Sequence, residues 1–180
     1  MSLTNNPLKT ARHLGLVVID MQAGTRYLAE HVYKQPAPVD FTTLLANNQL
    51  LIDAFTAHHL PIFIVTMRPK AFPHLFDQTL SRSLFDNAQL QVHRLEKHLP
   101  SAFSQPALVD ALRAAGVKHL VVTGIAAENG VCKTVRDATR LGFPTTVIVD
   151  AILAKSQHHY QDALRHFEQI NDTKTMIESL

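Results

Sequence analysis

The chain has 180 residues, enough for one domain with a substantial core. Its 46% hydrophobic and 18% charged content is that of a globular protein, and a formal net charge of +2 with no dense Lys/Arg run gives no support to binding of nucleic acid or a membrane surface. One Cys excludes an internal disulfide, the His residues lack the spacing of a metal site, and no apolar run is long enough to span a bilayer, so a cytoplasmic, metal-free protein is expected.

Taken in order, residues up to His13 form a polar lead. Leu14–Ile19 (LGLVVI) is a continuous apolar run, the pattern of a strand covered on both faces, and Asp20 stops it. An acid at the C-terminal end of such a strand stands where open α/β sheets bind ligands. The plainer reading is a helix cap or a structural hydrogen-bond acceptor. Met21–Gly24 breaks the pattern, and Tyr27–Asp40, with Pro36 and Pro38, reads as a loop that covers the site. Phe41–His59 carries apolar residues at helical spacing, and Pro61 closes it. Ile62–Thr66 is the next buried strand, and Arg68 beyond it reads either as a carboxylate-binding group or as an exposed loop residue.

Pro69–Asn87 is a partly helical insert whose Phe72, Phe76, Leu80 and Phe85 would pack on the site or on a second subunit. Leu90–Leu95 is a short strand followed by Lys97, and Pro100–Phe103 is a turn. Pro106 and Gly116 bracket a helix. His119–Ala138 (HLVVTGIAAENGVCKTVRDA) is the stretch on which the rest converges: a buried strand, a turn of small residues at Ile125–Gly130, and a helix from Val131. Backbone N–H groups of such a turn suit an anion or a carbonyl oxygen, although an ordinary tight bend has the same composition. Thr145–Val149 is a further strand ended by Asp150, Gln157–Ile170 a final helix, and Thr173–Ile177 a last short strand. Strands alternate with helices without repeats or linkers, which predicts one α/β domain over 1–180 with a mostly parallel sheet.

Asp20, Lys97 and the turn Ile125–Gly130 thus end three separate strands on one sheet edge, where an acid beside an amine can exchange protons with a substrate. At these residues the chain resembles the isochorismatase-like (cysteine hydrolase) superfamily. LVVIDMQAG at 16–24 resembles its first-strand motif, Lys97 with Ser101-Ala102-Phe103 its K-x-x-x-S-A-F motif, VVTGIAAENGVCKTVRDA its third motif, and Val149-Asp150-Ala151 its D-A signature. The resemblance implies a three-layer, six-stranded, mostly parallel sheet flanked by helices, and a homo-oligomer. It implies a hydrolase of a small molecule with no cofactor, and catalysis by Asp20 and Lys97. It also implies a cis peptide bond at Ile125–Ala126, and amides near Ala126 and Gly130 that bind a carboxylate or carbonyl oxygen. Gln22 is expected to help position the substrate.

One departure is informative. In the ungapped match the family's nucleophilic Cys falls on Gly130, not on Cys132. Cys132 lies two residues further along the helix, turned by about 200°, and is expected to be a small buried hydrophobe rather than a nucleophile. In having Gly at this position the chain resembles the true isochorismatases, which cleave a vinyl ether by proton donation without a thiolate, and also many family members of unknown substrate. Two alternatives stand beside this reading: a bulge that returns Cys132 to the site as an amidase nucleophile, and a catalytically silent ligand-binding module.

Overall fold

The computed structural model describes residues 13–68, 78–85 and 92–180. The polar lead before His13, Phe72 and Phe76 of the insert, and the start of the strand expected at Leu90 lie outside the described residues.

Six strands form one sheet: β1 (Leu14–Ile19), β2 (Ile62–Met67), β3 (Val92–Lys97), β4 (His119–Ile125), β5 (Thr145–Leu153) and β6 (Ile170–Asn171). Their spatial order is β3-β2-β1-β4-β5-β6, and every neighbouring pair is parallel. The helices are α1 (Ala23–His31), α2 (Phe41–Ala57), α3 (Gln78–Ser81), α4 (Ala107–Ala114), α5 (Cys132–Arg140), α6 (Gln157–Leu164) and α7 (Thr173–Glu178).

Successive side chains of a strand point to opposite faces. Val17 and Ile19 of β1 therefore join Phe63, Val65, Val122 and Val147 in one core, closed by Leu108 and Leu112 of α4, Val135 and Ala138 of α5 and Tyr160 of α6. Leu16 and Val18 join Ile62, Ile64 and Val121 in the other, closed by Phe41, Leu44, Leu51, Ile52 and Phe55 of α2 and Met176 of α7. Helices on both faces explain why β1, β2 and β4 carry unbroken apolar runs.

The winding reverses between β1 and β4, and at such a switch point the strand ends leave a crevice. The two strands approach closely there. Gly124 has φ +114°, and a Cβ on it would stand 2.0 Å from the Ile19 carbonyl oxygen, so only glycine fits.

Five elements differ from the sequence reading. The first residues of Tyr27–Asp40, expected to be irregular, belong to helix α1 (Ala23–His31), which buries only Ala29 and so lacks the apolar stripe that reveals a helix. Thr173–Ile177, expected to be a strand, lies in helix α7, because the Asp172 carboxylate accepts from Thr175 N and caps it. The sixth strand is instead Ile170–Asn171, and the helix expected to reach Ile170 stops at Leu164. β5 also runs past Asp150 to Leu153, through a register shift against β4 between Val122 and Gly124.

Candidate active site

β1 ends on Asp20, whose backbone N–H donates to Val65 O at 2.8 Å and whose φ is +51°. This left-handed residue breaks the strand and turns the carboxylate towards the crevice. Lys97 ends β3, opposite Met67 of β2. Its side chain reaches past β2, and Nζ lies 2.9 Å from Asp20 Oδ2. Nζ also donates to the Pro100 carbonyl oxygen. Lys97 is fully buried and Asp20 is 7% exposed.

Two charges out of water are costly unless paired. Burial pushes the Asp20 carboxyl up from 3.8 to about 6, against the opposing pull of the Lys97 ammonium. Burial likewise pushes Lys97 below its ordinary range, while Asp20 holds it up. Asp20 Oδ1 is buried and has no hydrogen-bond partner among the described residues. One carboxylate oxygen is therefore held by the amine, and the other is left to meet something else.

β4 leads into the turn. The Ile125–Ala126 peptide is cis. Ala127–Val131 then forms a single π-helical turn before α5, an irregularity frequent at functional sites. The half-buried Ala126 turns its carbonyl inward, where it accepts from Asn129 N at 3.0 Å and Val131 N at 3.2 Å. Gly130 is buried against the acid: a Cβ on it would stand 3.4 Å from Asp20 Oδ2 and 3.3 Å from Ile125 O. The side chain that position 130 lacks would point at Asp20.

Cys132 faces elsewhere. Its Sγ lies 3.9 Å from the Ala163 carbonyl oxygen of α6, and it packs against the core on that side. It borders a groove of about 500 Å³ with Lys133, Arg136, Arg140 and His166, which contains neither Asp20 nor Lys97. Burial and the nearby Glu128 push its thiol up to about 11, which suppresses the thiolate.

Gln22, expected beside the substrate, is given a different task. It is 2% exposed. Its Nε2 donates to Met67 O at 3.0 Å and Leu80 O at 3.1 Å, and its Oε1 accepts from Met67 N at 2.7 Å. Both amide donors are thus committed to backbone, and the residue pins the insert to the end of β2. Arg68 is a surface group, 3.8 Å from Glu96 with both side chains over 40% exposed. Asp150 of the D-A pair accepts from Thr173 N and Oγ1, each at 2.8 Å, and so anchors α7.

Thr134 falls in its family place in the ungapped match, but sequence reasoning gave it no role. It is fully buried; its Oγ1 donates to Gly130 O at 2.7 Å and accepts from Ala102 N at 2.9 Å. Beside that motif match, its sequence signal is a hydroxyl placed one helical turn after Gly130 on a face that is otherwise apolar.

An acid–amine pair at the switch point of a doubly wound parallel sheet defines the class: an α/β protein with its charged pair where open sheets of this kind bind ligands. The Isochorismatase domain model matches residues 15–178, and the chain belongs to that family of hydrolases. Among solved structures it is similar to an isochorismatase family protein from Burkholderia thailandensis, with a TM-score of 0.80 and 24% identity over 94% of this chain and 96% of that one. It is similar to a cysteine hydrolase from Pseudomonas syringae pv. phaseolicola 1448A, with a TM-score of 0.77 and 17% identity over 94% and 92% of the two chains. A nicotinamidase from Staphylococcus aureus gives a TM-score of 0.72 and 20% identity over 89% and 98%. At these identities the likeness is one of fold. No curated protein matches the sequence significantly.

Proposed function

We propose that this family member hydrolyses a small metabolite without a cysteine nucleophile, with Asp20 as general acid, Lys97 as its charge partner and an enol ether as the substrate class. One observation carries the reading. The position that points at the acid is Gly130, whereas the chain's sole thiol is turned to Ala163 on another face.

An amide needs covalent attack, for which a thiolate is suited. An enol ether needs only a proton on its terminal carbon. Protonated Asp20 donates that proton; the C=C electron pair forms the new C–H bond and leaves an oxocarbenium ion. Water adds to the cationic carbon and returns one proton to the Asp20 carboxylate. The hemiketal then collapses to an alcohol and a ketone. With a carboxyl near 6, about a tenth of the molecules carry the proton at pH 7. The Lys97 ammonium stabilises the carboxylate left after donation, and at Gly130 no thiol stands beside Asp20. A positioned general acid contributes roughly 10²- to 10⁴-fold.

The test is the pH dependence of turnover on enol ethers, amides and ureides offered in parallel. The proposal expects enol-ether cleavage that falls about tenfold per pH unit above pH 6 as Asp20 loses its proton. A rate that rises with pH through this range would make Asp20 a base and return the amidase reading to first place.

A further inference from the structure

Asp20 and Lys97 come from strands separated by β2, and Gly130 from a turn beyond β1, so some contact must hold the three in register. A closed circuit does so. Lys97 Nζ donates to Pro100 O. Two residues on, Ala102 N donates to Thr134 Oγ1 at 2.9 Å, and Thr134 Oγ1 donates to Gly130 O at 2.7 Å. Gly130 in turn faces Asp20 Oδ2. Thr134, Lys97 and Ala102 are each fully buried, so water does not substitute for these bonds.

We propose that Thr134 is the positioning residue of this site: its hydroxyl ties the loop that seats Lys97 to the turn that carries Gly130, and so holds the ammonium against Asp20. The role rests on the reading of Asp20 and Lys97 as the working pair. A hydroxyl is required because it must accept from one backbone and donate to another at the same time. Valine has the same shape and does neither; serine does both.

Lys97 is the charged group acting on Asp20 among the described residues, so the carboxyl's own titration reports whether the ammonium stays in place. The experiment follows the Asp20 carboxyl carbon by NMR from pH 4 to 9 in the full chain, assigned by its loss in Asp20→Asn. Wild type, Thr134→Ser and the control Cys132→Ala should titrate alike. Thr134→Val should titrate about one pH unit or more higher, because a displaced Lys97 no longer opposes the effect of burial. Ala102→Pro removes the N–H from the other side of the link. Its site suits proline, since Ser101 is extended and caps the 3₁₀ turn Ala102–Ser104 that residue 102 opens. It should reproduce the valine result.

A folded Thr134→Val or Ala102→Pro protein whose Asp20 titrates as in wild type would overturn the proposal. So would failure of both variants to fold, since the link would then serve the fold rather than the site. A wild-type Asp20 that titrates below pH 4 would instead sink the proposed catalytic role, while the comparison between variants would still decide the role of Thr134.

Discussion

Asp20→Asn separates a poised acid from an ordinary ion pair through stability alone. The substitution leaves a neutral group of the same shape, a close mimic of the protonated acid. Asp20 is raised from 3.8 to about 6 on folding, so the folded chain holds this proton more tightly than the unfolded one. The sign follows: the contribution of Asp20 is fully present below pH 3.8 and is lost as pH rises through about 6. A rise of about two units at roughly 1.4 kcal/mol per unit makes the loss about 3 kcal/mol. Asparagine does not titrate. Wild type and Asp20→Asn should therefore differ little at pH 4, and the variant should gain on wild type by about 2.4 kcal/mol between pH 4 and pH 8. Removing Asp20 also removes the charge that holds Lys97 up against burial, and earlier loss of the Lys97 proton in the variant acts in the same direction. Urea unfolding of both proteins at unit pH steps, compared as differences, measures the effect. A carboxylate stabilised by its amine would give the opposite slope, with wild type gaining as pH rises. That result would reduce Asp20–Lys97 to a buried structural pair.

Other outcomes follow from the same geometry. Cys132, with a thiol near 11, is about a thousandth thiolate at pH 8, so iodoacetamide should modify it at least 100-fold more slowly than a free cysteine. Gly130→Cys in a Cys132→Ala background should place sulfur within reach of Asp20 and be alkylated more than tenfold faster than native Cys132, as read by intact mass over time. Gly124→Ala would drive a Cβ into Ile19 O and should cost more than about 4 kcal/mol, seen as insoluble or unfolded chain by circular dichroism. Gln22→Leu leaves Met67 and Leu80 backbone groups unpaired and should cost roughly 3 kcal/mol in urea unfolding.

β1, β2 and β4 were legible because both faces of the sheet are covered there, so each is a bare apolar run, whereas the edge strand β6, Ile170–Asn171, is two residues long and was not. Asp20 and Lys97 were legible because parallel strands end on one edge, which brings residues 77 positions apart together. The ungapped count to Gly130 anticipated that position 130 faces the acid and that Cys132 does not. The partners of Gln22 were not legible because adjacency to Asp20 says nothing about them: Met67 is 45 residues away and Leu80 is 58. The terminal helix was missed because Thr173, Thr175 and Ile177 are β-branched, while the capping carboxylate that decides the matter is one residue earlier. The role of Thr134 was not legible although its place in the motif was, since two backbone contacts 32 and 4 residues away define that role and no local pattern announces them.

The sharpest measurement compares initial rates of Asp20→Asn and Cys132→Ala side by side, on the best enol-ether substrate at pH 6. The account predicts that Cys132→Ala turns over as wild type does and that Asp20→Asn loses at least 100-fold. Loss of turnover in a folded Cys132→Ala protein, with activity kept in Asp20→Asn, would contradict it.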